Sequence, residues 1–394
     1  MIGNTAIVLA AGEGTRLRPL TRNRPKPMLP AATKPILTHV FDQLVDAGID
    51  DIVVVVGYQR ERVQSHFGPS YRNVPLTYVT QESQLGTGHA LLAAESAVDG
   101  TCLVINGDQI VDSRIVRDVA DAHGTDAAAT VALLQRSTVD QYGGVRTNDG
   151  NVTSIVENPR DDRDYHLNAG VYVLEPAAFD AVRETEPTAG EHSLVDGLST
   201  LIERGATVSG VVSEGVWLDA TYPWDLLEVS FELFDAGVVD GERLTNGLDD
   251  ATVHESAVIR QPVVVGRDCV VEPGAVVGPY ACLGENATVE SNALVERSII
   301  DTDTRIGANA TAIDCVTGTG VTIGAGSTIP GGPGDVRVED RIFEGEALGA
   351  LLADRVTDRG GVTYAPGSIV GPDADIESGT AISGTIAADT GVRS

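Results

Sequence analysis

The stretch LAAGEGTRLRPLTRNRPKPM, residues 9–28 and here called the signature loop, decides the fold of the N-terminal part of the chain. It continues a short apolar run, residues 5–9, which predicts a buried strand. Prolines at 19, 25, 27 and 30 prevent a helix from starting early. Glycines let the backbone approach a ligand closely, and the N–H groups of such a loop can surround a phosphate. Since arginine and lysine add positive charge, the loop predicts a nucleoside triphosphate site.

Two familiar phosphate-binding loops are excluded. A P-loop requires Lys-Ser or Lys-Thr directly after its last glycine, whereas Gly14 is followed by Thr15 and Arg16. A dinucleotide fingerprint requires a third glycine, and Leu17 occupies that position.

The remaining pattern resembles the signature of the sugar-nucleotide pyrophosphorylases, which join a nucleoside triphosphate to a sugar 1-phosphate. Their pattern is leucine, two small residues, Gly-x-Gly-Thr-Arg-Leu and a later Pro-Lys-Pro. Here it reads Leu9 to Leu17, followed by Pro25-Lys26-Pro27. The resemblance implies a nucleotidyltransferase that uses UTP or dTTP and releases pyrophosphate.

The charge of the chain limits its partners. The formal net charge is −30 over 394 residues, which disfavours binding to nucleic acid and to anionic membranes. Only Lys26 and Lys34 among the 27 basic residues are lysines. An acidic, lysine-poor surface predicts a halophilic protein, because high salt screens self-repulsion. The alternative is an ordinary acidic protein from a GC-rich genome.

The sequence predicts a cytoplasmic protein. It lacks a run of 18 apolar residues and begins without a basic leader or a cleavage site. Its four cysteines form no CxxC pair, which favours buried, reduced thiols.

Residues 1–236 alternate apolar strands with amphipathic helices, which predicts an α/β, Rossmann-like, mostly parallel sheet. Ligands of such sheets bind beyond the carboxyl ends of the strands. The expected strands are 6–9, 52–56, 76–78, 102–105 and 130–134, with later runs at 167–174 and 211–218. A helix over 223–236 ends this domain, and a linker over 237–250 follows it.

From residue 251 the period changes to six. Aliphatic residues recur at Val253, Ile259, Val265, Val271, Val277, Leu283, Val289 and Val295. Small residues form a second column from Ala257 to Ala293 with the same spacing. Hexapeptide repeats produce this pattern, so residues 251–394 resemble the left-handed parallel β-helix of hexapeptide-repeat transferases. An insertion at about 330–361 interrupts the repeat, with a short helix expected over 344–354.

The resemblance implies site residues at matching positions. Arg16 and Lys26 would be catalytic, Asp108 and Asp219 would bind Mg²⁺, and Gly144, Glu157 and Asn168 would bind the sugar. The nucleotide would contact Leu9, Ala11, Gly12, Gly14, Thr15, Gln81, Gly86 and Thr87. The form Gly86-Thr87-Gly88-His89-Ala90 favours UTP. One departure is Asn158, because many relatives have a phosphate-binding lysine there; Arg160 is a possible substitute.

The second domain lacks the acetyltransferase residues of the bifunctional uridylyltransferase/acetyltransferases, which share the two-domain order. No histidine follows His254, and the family's histidine, tyrosine and asparagine align with Ala308, Thr311 and Gly331. We therefore expect the β-helix to form a homo-oligomer, with a trimer favoured, or to be regulatory. Two alternatives stay open: a bifunctional enzyme with Asp314 as its base, and a catalytically silent regulatory subunit.

Overall fold

The computed structural model describes residues 4–136, 139, 142–160, 163–188, 190–238 and 250–393. These residues form two compact units. The first comprises the described parts of Met1–Glu13, Pro25–Met28 and Ile36–Leu218; the second comprises Gly14–Arg24, Leu29–Pro35 and the described parts of Asp219–Ser394. Most of the predicted linker, residues 239–249, lies outside the described residues.

The first unit is built on a ten-stranded sheet whose centre is parallel. Thr5–Ala10 pairs in parallel with Asp51–Val56 and with Cys102–Asn106. These strands are almost continuously apolar because helices cover both faces of the sheet. Across the sheet the order is Gly143–Asn148, Asn151–Glu157, Val208–Ser213, Ala129–Leu134, His166–Leu174, Cys102–Asn106, Thr5–Ala10, Asp51–Val56, Val74–Thr80 and Ser70–Tyr71.

The Rossmann-like fold class is confirmed, and the sheet is mixed towards one edge. His166–Leu174 runs antiparallel to both of its main neighbours. The run expected at 211–218 is wrong as a single strand. It divides into Val208–Ser213 and Trp217–Asp219 because the intervening Glu214 and Gly215 interrupt it. Trp217–Asp219 forms a separate two-stranded sheet with Gln109–Val111.

The helices of the first unit cover two apolar clusters, one on each face of the sheet. Two of them begin at side-chain caps: Asp112 accepts a hydrogen bond from the Arg114 N–H (2.8 Å), and Ser193 accepts one from the Val195 N–H (3.1 Å). Their bounds are Ile36–Asp46, Arg60–Phe67, Thr87–Ala94, Ser113–Asp121, Pro176–Glu184 and Leu194–Glu203. Short 3₁₀ turns lie at Thr15–Leu17, Leu20–Arg22, Lys26–Met28 and Glu95–Ala97. None of the helices in the described parts of the chain is long and apolar enough to cross a membrane.

The second unit contains the helix Asp225–Asp235, a small sheet of Pro30–Ala31 with Lys34–Pro35, and a stack of parallel coils. Each coil contributes one short strand to each of three sheets. The first sheet contains Thr252–Val253, Val270–Val271, Thr288–Val289, Arg305–Ile306, Thr322–Ile323, Thr357–Asp358, Asp375–Ile376 and Gly391–Val392. The second contains Val258–Ile259, Val276–Val277, Leu294–Glu296, Thr311–Ile313, Thr328–Pro330, Thr363–Tyr364 and Ala381–Ile382. The third contains Val263–Val265, Ala281–Leu283, Ile299–Ile300, Cys315–Thr317, Ala350–Leu352, Ser368–Val370 and Thr385–Ile386.

This architecture is consistent with the predicted left-handed β-helix. The predicted aliphatic and small columns point inward and form one buried core, which includes Cys269 and Tyr364. The spacing of the inward aliphatic residues changes after Val295, because the next one is Ile300, five residues later. Val265 pairs with Leu283, eighteen residues later, but Leu283 pairs with Ile300, seventeen residues later, so the coil that contains Val295 is one residue shorter than the coil before it.

One corner of successive coils has a left-handed backbone. Asp268, Asn286 and Asp303 lie there with φ of 56°, 57° and 59°. Each N–H donates to a carbonyl of the preceding coil; for example, the Asn286 N–H donates to the Arg267 carbonyl (2.8 Å). Asp and Asn are the side chains that tolerate this conformation best after glycine, which explains their recurrence.

The expected helix over 344–354 is wrong. A hairpin of Gly334–Val338 and Arg341–Glu346, here called the inserted hairpin, occupies its first part. The chain then re-enters the β-helix through the strand Ala350–Leu352. The alanines and leucines of this segment favour a helix, but here they pair with neighbouring coils and are buried in the core. The free energy gained from pairing and burial is larger than the small differences in helix propensity.

Candidate active site

The ends of two adjacent strands create the first part of the site. The Gly107 N–H donates to the Leu9 carbonyl (2.8 Å), which joins the end of the first strand to the chain after Asn106. A Cβ at Gly107 would lie 2.9 Å from the Ala10 Cβ, so only glycine permits this approach. Asp108 therefore follows at the carboxyl edge of the sheet, where ligands of such folds bind.

Lys26 and Asp108 meet in the first unit. Lys26 Nζ lies 2.9 Å from Asp108 Oδ2, and the lysine side chain is only 10% exposed, against 38% for the aspartate. Burying an ammonium is costly unless a counter-ion is near, so Asp108 holds the lysine charge at this edge. The structure thus brings together two residues predicted from separate motifs.

The signature loop turns sharply at Gly14, which has φ of 66°. Its carbonyl accepts from the Leu17 N–H (3.0 Å) and from the Thr21 hydroxyl (2.8 Å). The turn buries Leu17 and leaves Thr15 and Arg16 exposed. Both side chains are therefore accessible from solvent.

Ala11 and Gly12 occupy the first-unit end of the same loop. The Ala11 carbonyl accepts hydrogen bonds from the Tyr58 N–H and from Gln84 Nε2, both at 3.3 Å. Gly12 is exposed, and a Cβ built there would meet nothing within 4 Å. The backbone at Gly12 is therefore open to a ligand.

Gln81 is buried and fixed in orientation. Its Nε2 donates to the Gly86 carbonyl (3.0 Å) and lies 3.0 Å from His89 Nδ1. It also borders a cavity of about 220 Å³ that Tyr58, Arg60 and Gln84 help to line. Sequence reasoning missed these three residues, although they follow the carboxyl ends of strands as the predicted residues do.

Gly86 and Thr87 connect this segment to residues 192–194. Gly86 has φ of 94°, and a Cβ there would lie 2.5 Å from the His192 carbonyl oxygen. The Thr87 hydroxyl accepts a hydrogen bond from the Leu194 N–H (3.0 Å). The close approach of His192 explains why residue 86 is a glycine. The Thr87 hydroxyl already has a partner within the protein, so it is not solely available to a nucleotide.

Asn168 and Gly144 lie close together on neighbouring strands. Asn168 Nδ2 donates to the Tyr172 hydroxyl (2.7 Å), while its Oδ1 accepts from the Gly170 N–H (3.2 Å). Gly144 pairs with Leu167, and a Cβ at Gly144 would lie 2.9 Å from the Tyr165 ring. The amide of Asn168 is therefore oriented by a tyrosine that the sequence motif did not identify.

Glu157 is at the end of the adjacent strand, paired with Gly143. Its side chain reaches solvent but is surrounded by protein atoms. This partial desolvation raises the pKa of Glu157, and the nearby Asp196 adds repulsion. Burial raises the pKa of Tyr172, and repulsion from Glu157 adds to the increase.

Asp219 belongs to the second unit, together with Gly14, Thr15 and Arg16. Its Oδ2 accepts a hydrogen bond from the Thr221 hydroxyl (2.6 Å). Asp225 follows at the start of a helix and accepts from the Thr221 N–H (2.9 Å) and the Tyr222 N–H (2.7 Å). Residues 219–225 are therefore held by their own polar contacts.

The donors that could hold a metal are carboxylates. Among the residues that the structure describes, no group of three or more His, Cys, Asp or Glu side chains has the arrangement of a metal site. Asp108 and Asp219 are oxygen donors of the kind that hard divalent cations prefer.

The departure from the family's lysine lies at a residue with a left-handed backbone. Asn158 has φ of 47°, and its N–H donates to the Tyr142 carbonyl (2.9 Å). Asparagine is more tolerant than lysine of this left-handed conformation. Arg160, two residues later, is exposed.

Comparison with known proteins covers both parts of the chain. A family model described as nucleotidyl transferase matches residues 5–235, and one described as the GMPPB C-terminal domain matches residues 248–332. The UTP–glucose-1-phosphate uridylyltransferase AglF of Haloferax volcanii is 40% identical over 225 residues, which is 56% of this chain and 92% of that protein. The bifunctional protein GlmU of Methanococcus maripaludis is 35% identical over 229 residues, 57% of this chain but only 53% of its own length.

A solved structure shows the same fold. A UDP-glucose pyrophosphorylase, solved with UDP-glucose, superposes with a TM-score of 0.55 at 24% identity. The match covers 60% of this chain and all of that one. With the strand-end geometry and the signature loop, these likenesses lead to one conclusion: the chain belongs to the nucleotidyl transferase family.

Proposed function

We propose that the protein transfers a nucleotidyl group from UTP or dTTP to a sugar 1-phosphate, either glucose 1-phosphate or N-acetylglucosamine 1-phosphate, and releases pyrophosphate. The observation that carries this proposal is the Lys26–Asp108 contact of 2.9 Å at the carboxyl edge of the sheet. It joins the lysine of the signature loop to a carboxylate that follows another strand. The similarity to AglF, a UTP–glucose-1-phosphate uridylyltransferase, supports the same reaction class.

The chemistry is an in-line displacement. A phosphate oxygen of the sugar 1-phosphate attacks the α-phosphorus, a new P–O bond forms, and the bond to the bridging oxygen breaks as pyrophosphate leaves. Such a transfer needs mainly positioning and charge stabilisation. We assign triphosphate binding to Arg16, whose planar guanidinium suits phosphate oxygens. We assign Lys26 to the charge at the α-phosphate.

We propose Mg²⁺ as the metal, held by Asp108 and Asp219. Nucleotidyltransferases of this family generally use a divalent metal, and carboxylates with phosphate oxygens and water suit Mg²⁺. When bound, the ion neutralises phosphate charge and orients the two substrates. Asp108 Oδ2 also lies 2.9 Å from the ammonium of Lys26.

In this proposal, separate parts of the first unit bind the base and the sugar. Gln81, fixed by Gly86 and His89, would read the edge of the pyrimidine beside the 220 Å³ cavity. Asn168, oriented by Tyr172, and Glu157 would contact sugar hydroxyls. A buried, prealigned amide of this kind discriminates strongly against ligands that leave it unpaired.

We propose that the β-helix does not acetylate. Asp314, the carboxylate considered as a base, has both oxygens engaged. Arg297 Nε donates to Oδ1 (2.7 Å), and the Gly332 N–H donates to Oδ2 (3.1 Å). Such contacts favour a structural carboxylate over a general base. We propose instead an oligomerisation role for this unit, with a homotrimer favoured, which light scattering after gel filtration would measure.

A substrate panel tests the proposed reaction. Pyrophosphate release is measured in molar salt and Mg²⁺ with UTP or dTTP and with each of the two sugar 1-phosphates. Mass spectrometry then identifies the nucleotide sugar. We expect turnover with UTP and at least one sugar phosphate, and loss of turnover when EDTA replaces Mg²⁺. Silence of the wild type across the whole panel would refute the proposal and favour the regulatory-subunit alternative. Acetyl-CoA consumption by the full chain with hexosamine 1-phosphates would refute the structural role of the β-helix.

A further inference from the structure

An aromatic cluster links the inserted hairpin to the segment that follows Asp219. The Phe343 ring lies 4.6 Å from the Tyr222 ring and 5.1 Å from the Trp224 ring. Tyr222 and Trp224 stack on each other at 4.9 Å, with only 9° between their planes. All three residues belong to the second unit.

Cations lie at both ends of this cluster. The Arg16 guanidinium carbon is 5.8 Å from the centre of the Tyr222 ring. At the other end, the Arg341 guanidinium carbon is 4.9 Å from the centre of the Phe343 ring. Guanidinium groups are attracted to ring faces within about 6 Å, and such contacts restrict their orientation.

The hairpin is itself firmly held. Its Val336, which pairs with Phe343, is completely buried. At its base, a Cβ on Gly334 would lie 2.3 Å from the Pro366 backbone, so the hairpin crosses a coil at close range. The Gly345 N–H also donates to Asp335 Oδ1 (3.2 Å) across the hairpin. The hairpin therefore presents Phe343 from a fixed base.

The opposite side of the cluster is also fixed. The Tyr222 N–H donates to Asp225 Oδ2 (2.7 Å), and Thr221 donates to Asp219. Tyr222 thus lies between the hairpin on one side and Arg16 on the other, three residues after Asp219. Displacement of the tyrosine ring would affect both a proposed triphosphate ligand and a proposed metal ligand.

We propose that the inserted hairpin is a positioning element for the transferase site, in which Phe343 orients Arg16 through the ring of Tyr222. This inference rests on the proposed function, because it takes Arg16 as the residue that binds the triphosphate. Phe343 is a positioning residue and has no contact with substrate in this scheme. The β-helix thereby contributes to nucleotidyl transfer.

The test compares variants of the full chain. Phe343→Ala removes the ring, Phe343→Leu keeps apolar bulk without a ring, and Phe343→Tyr keeps the ring. Ile342→Ala is the matched control, since its side chain is 58% exposed and it neighbours Phe343 on the same strand. Circular dichroism and the thermal midpoint establish folding of every variant.

Kinetics and fluorescence provide the readouts. A misplacement of about 1 Å at a reacting group can cost on the order of 100-fold. We therefore expect kcat/KM for UTP to fall roughly 10- to 100-fold in Phe343→Ala and Phe343→Leu, with the KM for the sugar phosphate little changed. Phe343→Tyr and Ile342→Ala should retain wild-type values. Trp224 emission, isolated by subtracting the Trp224→Phe variant, should change on UTP binding in the wild type and less in Phe343→Ala.

The outcomes separate this inference from the proposed function. If the wild type turns over and a folded Phe343→Ala variant has the same kcat/KM for UTP, the inference is overturned and the proposed function stands. Equal losses in Phe343→Ala and Ile342→Ala, or wild-type kinetics in Phe343→Leu, also overturn it. Silence of the wild type with every substrate refutes the proposed function, and the inference falls with it.

Discussion

Lys26 Nζ lies 2.9 Å from Asp108 Oδ2 at the edge of the sheet, although 82 positions separate the two residues in the chain. Lys34, the only other lysine, is exposed. A lysine-poor chain has thus kept one buried lysine in contact with a carboxylate, where a compact ammonium can act on phosphate oxygens.

Replacement of Lys26 should remove activity without unfolding the protein. We expect Lys26→Ala to lower kcat by at least about 100-fold, because one charge that stabilises the transferred phosphoryl group is lost. The thermal midpoint should change little, since Asp108 is 38% exposed and can be hydrated. Pyrophosphate release and a thermal melt measure the two effects. Lys34→Ala is the control and should behave as wild type; activity of Lys26→Ala within threefold of wild type would contradict the assignment.

Substitution of Gly86 should impair nucleotide binding more than its backbone strain alone predicts. An alanine Cβ would lie 2.5 Å from the His192 carbonyl oxygen. Relief of this clash would displace residue 86, whose own carbonyl accepts the hydrogen bond from Gln81 Nε2. We expect the KM for UTP to rise about tenfold or more in Gly86→Ala, since a prealigned hydrogen-bonding group is lost. Steady-state kinetics with varied UTP provide the measurement.

Gly100→Ala is the matched control for that variant. Gly100 also has a positive φ, 78°, but a Cβ there would meet nothing within 4 Å. It should show only the backbone cost of about 1 kcal/mol and an unchanged KM. Similar KM values in the two variants would argue against a role for Gly86 in orienting Gln81.

Removal of the Asp301 carboxylate should strongly destabilise the second unit. Arg24 Nη2 lies 2.5 Å from Asp301 Oδ2 and 3.7 Å from Asp354 Oδ1, and all three side chains are at most 12% exposed. Loss of one partner leaves a buried charge poorly compensated, at a cost of about 3–5 kcal/mol. Chemical denaturation followed by circular dichroism should show this for Asp301→Ala.

A second substitution and an exposed ion pair test whether the loss of stability comes from the buried, unpaired charge of Arg24. Arg24→Met combined with Asp301→Ala should recover part of the stability, because the unpaired cation is removed. Arg355 and Asp373 pair at 2.7 Å with 54% and 40% exposure. Asp373→Ala should therefore cost no more than about 1 kcal/mol. A smaller loss in Asp301→Ala than in Asp373→Ala would be incompatible with a stabilising buried pair.

Asp225 should make stability depend on pH. Its pKa is raised to about 6, chiefly because burial disfavours the carboxylate, with repulsion from Asp219 and Glu228. The native state therefore retains this proton at higher pH than the unfolded chain does. The resulting contribution to stability is present at about pH 4 and is lost as pH rises through about 6.

The variant Asp225→Asn should remove the cost of burying a charged carboxylate. Its amide oxygen can still accept hydrogen bonds from the Thr221 and Tyr222 N–H groups. At pH 7.5 we expect it to be more stable than wild type by on the order of 1–3 kcal/mol, with the difference shrinking towards pH 5. Thermal midpoints across that range provide the measurement. Asp126→Asn, at an exposed position, controls for the loss of one negative charge. A loss of stability in Asp225→Asn that is the same at every pH would contradict the predicted gain at pH 7.5 and its dependence on pH.

The sequence identified the features that depend on local pattern. Asp51–Val56 is recognisable because a run of five buried apolar residues requires a central strand. The hexad columns identified the β-helix because each hexad supplies one side of a three-sided coil, so that successive residues of a column lie in three different sheets of one core. Lys26 and Asp108 were each identified by motif, whereas their contact required the three-dimensional arrangement of two strand ends.

Other features depend on contacts that no local pattern reveals. The helix predicted at 344–354 has suitable residue types, but the strand Ala350–Leu352 pairs with residues 315–317 and 368–370 instead. Tertiary pairing outweighs helix propensity in this segment. Tyr222 and Phe343 are 121 positions apart, so their contact, which suggests a purpose for the insertion, has no signal in the sequence.

The left-handed corners of the β-helix have a consequence for how this protein could adapt its surface. Asp and Asn adopt that backbone conformation with similar ease, so either can occupy a corner without disturbing the core. Asp268 and Asp303 are separated by Asn286, an alternation that limits repulsion between neighbouring coils. Exchanges of amide for carboxylate at such corners adjust net charge one coil at a time. The surface charge of the β-helix can thus change without any change in the residues of its core.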